Sequence, residues 1–154
     1  MSISLRLADE AEKAQLRSML LDYLVELSQY GDVNLEYPFF DSYWSDKDRW
    51  PYVIERDGSA AGFALVNTWS QSRKGTEFAV AEFYILPQYR FTEVGKKAFA
   101  ALLNHHPGLW ELSVMMRNEA AKRFWAQAII AAGVTEIERI ELERELIFRF
   151  TTEV

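Results

Sequence analysis

The chain has 154 residues, and 49% are apolar against 26% charged, the balance of an ordinary water-soluble domain able to close one sizeable core. A net charge of −6 works against nucleic-acid binding, and the lack of any cysteine removes disulfides, thiolate metal sites and cysteine nucleophiles together. No apolar run is long enough to span a bilayer, and Met1 to Arg6 lacks the apolar block of a signal peptide. The expectation is one cytoplasmic domain over residues 1–154, with neither nucleic acid nor membrane as partner.

Ser2 to Leu7 alternates apolar and polar residues and reads as a strand. Asp9 offers an N-cap, with Glu12 three residues on to complete a capping box. Leu16, Met19, Leu20, Tyr23, Leu24 and Leu27 then fall on one helical face, with Gly31 as the expected stop. Residues 32–50 are irregular and aromatic, so they should fold over something rather than face water. Tyr37, Phe40, Tyr43, Trp44 and Trp50 suit the wall of a pocket, or a satellite hydrophobic cluster under the first helix.

Tyr52 to Arg56 and Ala61 to Trp69 form a hairpin about Asp57-Gly58. A polar turn, Ser70 to Gly75, leads into the longest strand pattern, Glu77 to Leu86. Val94 to Leu103 has helical spacing and must end by Pro107-Gly108. Leu109 to Met116 is a strand, Asn118 caps a helix from Glu119 to Ala132, and Gly133 closes it. Strands near residues 136–142 and 146–150 finish the chain. The order gives an α/β (α+β) domain with a mixed, twisted central sheet flanked by helices. His105-His106 does not suit a metal, because neighbouring helical residues diverge by about 100°. Both are expected to be solvated at a helix C-terminus, where protonation is favoured.

The junction from Ile85 and Leu86 through Pro87 to Lys97 can aim backbone N–H groups and a helix N-terminus at a phosphate. It resembles the acyl-CoA-binding loop of the GCN5-related N-acetyltransferases (GNAT), whose pattern is Arg or Gln, two residues, Gly, one residue, then Gly or Ala. Arg90 and Gly95 hold the first and last positions, and Glu93 stands where the first glycine belongs. Asn118 to Trp125 looks like the family's Asn, Ala, Phe-aromatic helix start. Trp50-Pro51-Tyr52 and Ala61-Gly62-Phe63-Ala64-Leu65-Val66 are similar to small bacterial members. The resemblance covers nearly the whole chain.

It implies acetyl-CoA as donor and a small-molecule amine as acceptor, with a homodimer left open. The donor site would comprise Ile85, Leu86, Arg90, Phe91, Thr92, Glu93, Val94, Gly95, Lys96, Asn118 and Phe124. Glu93 would oppose it in two ways. Its charge, at ~5 Å and an effective dielectric of ~20, costs roughly 3 kcal/mol per like pair. Its Cβ adds about 1–2 kcal/mol if the backbone there is left-handed. A binding or regulatory protein with a weakened CoA site is therefore the rival reading.

In the family a strand-borne carboxylate or a water relay deprotonates the amine, and Glu82 is the candidate base, against a solvent-facing or arginine-paired glutamate. Trp125 occupies the place where a tyrosine often protonates the leaving thiolate. Tyr84 or Tyr89 would have to replace it, or the thiolate leaves unaided. Asn118 either caps its helix or bonds the pantetheine arm.

Overall fold

The computed structural model of the chain describes residues 2–153. In order it has β1 (Ile3–Leu7), α1 (Lys13–Leu27), α2 (Ser42–Ser45), β2 (Trp50–Arg56), β3 (Ser59–Asn67) and β4 (Phe78–Ile85). Then come α3 (Val94–His105), β5 (Leu109–Met115), α4 (Glu119–Ala131), β6 (Glu138–Glu141) and β7 (Glu145–Thr151). The strands form one mixed sheet in the order β1-β2-β3-β4-β5-β7-β6. Every pairing is antiparallel except that of β4 with β5.

Local chemistry accounts for most of the boundaries. Asp9 and Glu12 close the capping box reciprocally, one turn ahead of α1. Asp57 and Gly58 have φ of 51° and 85°, the pair of positive values that a two-residue hairpin matching strand twist requires. One sheet face packs Ile54, Trp110 and Phe148 against Phe99 and Leu102 of α3 and Ile129 of α4. The other packs Phe63 and Leu65 against Leu16 and Leu20 of α1.

Two expectations shift, and one open alternative is decided. Helix α1 ends at Leu27, short of Gly31, because the Gln29 and Tyr30 amides turn back only three residues, onto the Glu26 and Leu27 carbonyls. Gly31 instead lies against the Met115 thioether, where a Cβ would sit 3.4 Å from sulfur. The aromatic stretch contains α2 and makes the satellite cluster: Phe40 and Tyr43 are buried beneath α1. Trp50 joins the opposite face beside Phe78.

His106 also departs from expectation. It is partly buried among Trp50, Phe78 and Trp110, with Nε2 2.7 Å from Tyr52 Oη, whereas His105 is exposed. Burial first, then the charge of His105, pushes its pKa below the ordinary histidine value. The helix-end attraction for a proton is outweighed by desolvation. A depressed histidine pKa means that the unfolded chain binds the proton first, so stability falls as pH drops below about 6.5. Thermal melts of His106→Phe are expected to lose that part of the acid sensitivity. An unchanged slope would show that His106 stays protonatable in the fold.

Candidate active site

The site begins with a defect in the sheet. Leu65 of β3 faces Glu82 of β4, but the next residue, Val66, faces Val80. Ala81 is thus an extra residue, a β-bulge that breaks the alternation of β4. As a result Glu82 and Tyr84 both turn toward α1, while Val80 and Phe83 pack on the other side. Beyond the bulge the sheet opens. The parallel pairing of β4 with β5 lasts only from Phe78–Trp110 to Val80–Leu112.

Past that point a cleft of about 1060 Å³ lies between the strands. Glu82, Phe83 and Ile85 line it from β4, Ser113 and Met115 from β5, and Tyr23, Glu26 and Tyr30 come from the α1 side. Main-chain groups on the separated strand edges are available to a ligand there, as is common at the carboxyl ends of diverging parallel strands.

Glu82 is held, not free. Tyr23 Oη donates to its Oε1 at 2.9 Å and Tyr37 Oη to its Oε2 at 2.7 Å. Burial, opposed by those two hydrogen bonds, raises its pKa to about 7. Burial and the Glu82 charge push both phenols well above their ordinary value, so they remain donors. Tyr37 reaches the carboxylate from a backbone with φ of 46°, a left-handed conformation costing about 1–2 kcal/mol that the surrounding packing must offset. Tyr23 looks like one more core residue on an amphipathic helix, and Tyr37 like loop aromatic filler. A hydroxyl amid leucines on the buried face of α1 is the only trace that sequence offers of this arrangement.

The loop ahead of α3 is built from Arg90 onward. No hydrogen bond among the described residues engages the amides of Phe91, Thr92, Glu93, Gly95 and Lys96, so these donors are available to an anion. The Val94 amide is taken by Thr92 Oγ1 at 3.3 Å, and its side chain is fully buried in the core. Leu86 likewise faces away, packed in the cluster beneath α1. Ile85, Phe91, Thr92, Glu93, Gly95, Lys96, Asn118 and Phe124 all line the cleft. Gly95 is needed for packing: a Cβ would come 3.0 Å from the Phe124 ring. Asn118 caps α4, accepting from Ala121 N at 3.1 Å, and the residue borders the cleft.

Two loop residues behave differently from expectation. Arg90 turns its guanidinium away from the loop, donating to Ile85 O at 2.8 Å and to Glu26 Oε2 at 2.9 Å, above the Tyr84 ring. It ties the loop to α1 rather than offering its charge to a phosphate. Glu93 has φ of −78°, ordinary helical backbone, so the left-handed penalty does not arise there. The positive φ of the loop falls on Phe91, at 61°.

Only the charge of Glu93 remains to oppose an anion. Because the side chain is exposed, water screens it to about 1 kcal/mol at ~5 Å. Glu93→Gln is therefore expected to tighten acetyl-CoA only about three- to fivefold, with the gain shrinking in salt. An unchanged affinity at low salt would mean that the carboxylate points away from the donor. Trp125, in the tyrosine's place, is buried against Phe83 and Phe99 at centroid distances of 5.1 and 4.9 Å, and brings no hydroxyl.

A bulged strand, a sheet that splays open and an anion-receptive helix start together define an acyl-CoA-type transferase fold. The sequence matches the family model for the acetyltransferase (GNAT) family over residues 13–128, and the chain belongs to that family. No curated protein matches it significantly. Among solved structures, an acetyltransferase from Thermus thermophilus shares 11% identity with a TM-score of 0.74, over 98% of this chain and 97% of that one. A GNAT-family acetyltransferase from Streptococcus agalactiae shares 15% with a TM-score of 0.72, over 99% and 96%. The aminoglycoside acetyltransferase AAC(6')-Ib, solved with coenzyme A and kanamycin, shares 16% with a TM-score of 0.70, over 98% and 95%. At these identities the likeness establishes the fold, and the family model establishes the acetyltransferase class.

Proposed function

We propose that the protein transfers an acetyl group from acetyl-CoA to the amine of a small molecule, with Glu82 as general base. The observation that carries this reading is a carboxylate with a pKa near 7, fixed by two phenols in the cleft beside a loop with free amides. The donor's diphosphate would take the free amides of Phe91, Thr92, Glu93, Gly95 and Lys96, with Lys96 and Arg123 adding positive charge. Glu82 takes a proton as the amine nitrogen attacks the thioester carbon. The C–S bond then breaks, and the CoA thiolate departs. With Trp125 in place of an acid, the thiolate takes its proton from solvent, which a thiol pKa of about 8.5 permits.

A carboxylate that titrates near neutrality is what base catalysis around pH 7 requires. The kanamycin held in the AAC(6')-Ib structure supports a small-molecule acceptor on the same scaffold. Calorimetry with acetyl-CoA, followed by thiol release across an amine panel, tests the reading. Binding with amine-dependent thiol release is expected. No detectable binding of acetyl-CoA would overturn the proposal in favour of a binding protein on this fold.

A further inference from the structure

The carboxylates on the acceptor side of the cleft are not equivalent. Glu26 is paired with Arg90, and Glu82 accepts from two phenols. Glu145, at the start of β7, also lines the cleft and is partly buried, yet its carboxylate has no hydrogen bond or ion pair among the described residues. Burial pushes its pKa up, as expected for a charge without compensation. Its placement follows from register. Glu145 pairs with Met115, and alternate residues Leu146, Phe148 and Phe150 fill the core on the α3–α4 side. Glu145 therefore shares with Glu82 the sheet face that α1 covers, two strands away, roughly 10 Å or more at the backbone.

The cations that line the cleft do not answer it, and neither does Arg149 on the same strand. Arg149 is committed to Glu111 and to the Gly75 carbonyl, each at 3.1 Å, and Arg90 to Glu26. Lys96 and Arg123 line the cleft from α3 and α4, on the opposite side of the sheet, where the donor loop lies. The C-terminal end of α1 adds to the negative field, since Leu27, Gln29 and Tyr30 border the same space. Tyr23 and Tyr30 supply aromatic walls suited to an alkylammonium chain.

We infer that the acceptor is a dicationic amine, an α,ω-diamine or a longer polyamine, with its reacting nitrogen at Glu82 and its second ammonium at Glu145. This rests on the acetyl-transfer reading above. A monoamine, a neutral acceptor or an anionic one would leave Glu145 uncompensated in the cleft, and an anion would be repelled by it.

The test compares diaminopentane with pentylamine, which differ only in the second charge. Wild-type protein is expected to favour the diamine at least tenfold in kcat/KM. Glu145→Gln should bring that ratio close to one, and Glu145→Lys should invert it, with far-UV circular dichroism confirming that both variants fold. Equal use of the two amines by wild-type protein, or a diamine preference that survives in both variants, would overturn the inference while leaving acetyl transfer intact. Calorimetric titration of the same two amines keeps the questions apart if no turnover is seen. A diamine preference in binding, abolished by Glu145→Gln, would sustain this inference even as the transferase reading fell. No preference in binding would end it.

Discussion

Replacing Glu82 by glutamine is expected to lower turnover by about a hundredfold while leaving acetyl-CoA affinity nearly unchanged, a general base being worth roughly that factor. A base proposed to act on the acceptor amine should show its loss in the rate and not in donor binding. Glutamine can keep both contacts, its carbonyl accepting from one phenol and its NH₂ donating to the oxygen of the other, so the variant removes the basic charge without removing the fit. Tyr23→Phe and Tyr37→Phe are useful companions, because each removes a hydrogen bond that favours the ionised form. A loss of rate equal to a loss of donor binding would show that Glu82 shapes the strand instead.

The pH profile is a second readout of the same residue. With a pKa of about 7, Glu82 becomes ionised as pH rises through neutrality, and the rate should climb with it. That limb should vanish in Glu82→Gln. Stability moves the other way. A carboxyl whose folded pKa lies above its unfolded value favours the fold when protonated, so this contribution grows as pH falls from about 7 toward 4.5. A shift of this size corresponds to something on the order of 3 kcal/mol, relieved by Glu82→Gln at alkaline pH. His106 works against it below about pH 6.5, so the two variants should be compared in the same buffers. A variant that is more stable and less active would identify a group held at an energetic cost for catalysis.

Periodicity carries the reading of the fold because the hairpin, caps and helix stripes are local. Asp57-Gly58, Asp9–Glu12 and Asn118 state their geometry within a few neighbouring residues. The strand-loop-helix junction with its free amides is legible for the same reason. What sequence hides is long-range. Nothing near Glu82 in the chain announces Tyr23 and Tyr37, which lie 59 and 45 residues away. Arg90 reads as a phosphate ligand until α1 brings Glu26 beside it, 64 residues distant. A motif comparison puts the backbone strain of the missing glycine on Glu93, but the loop places its positive φ earlier, at Phe91. The bulge at Ala81 leaves no signature in the strand pattern and yet decides which way Glu82 points.

The largest stability effect is expected at Glu111, which is fully buried in the middle of β5. It accepts from Ser70 Oγ at 3.0 Å, Ser72 Oγ at 2.7 Å, Ser72 N at 3.1 Å and Arg149 Nε at 3.1 Å. Burial works to raise its pKa, and the donors from Ser72, Ser70 and Arg149 together outweigh it and hold the value low. Those bonds pin the β3–β4 loop, whose Gln71 borders the cleft and takes the Trp69 indole N–H at 3.0 Å. In Glu111→Gln an NH₂ must face a donor, and Arg149 loses its buried charged partner, keeping only Glu138 at 3.5 Å and the Gly75 carbonyl at 3.1 Å. The expected cost is about 3 kcal/mol, or roughly 6–12 °C in Tm. Because the folded pKa is depressed, the stabilisation from Glu111 should persist above the ordinary carboxylate value of about 4.5 and be lost as pH falls through the folded pKa. Releasing the loop should also raise KM for the acceptor while sparing acetyl-CoA. The pair Glu111→Met with Arg149→Met separates these effects, since an apolar replacement of a buried ion pair often restores stability. Recovered Tm with a KM still raised would assign Glu111 a positioning role toward Gln71. A single variant that costs under about 1 kcal/mol, the range of an exposed pair, would mean that the loop holds itself in place without the carboxylate.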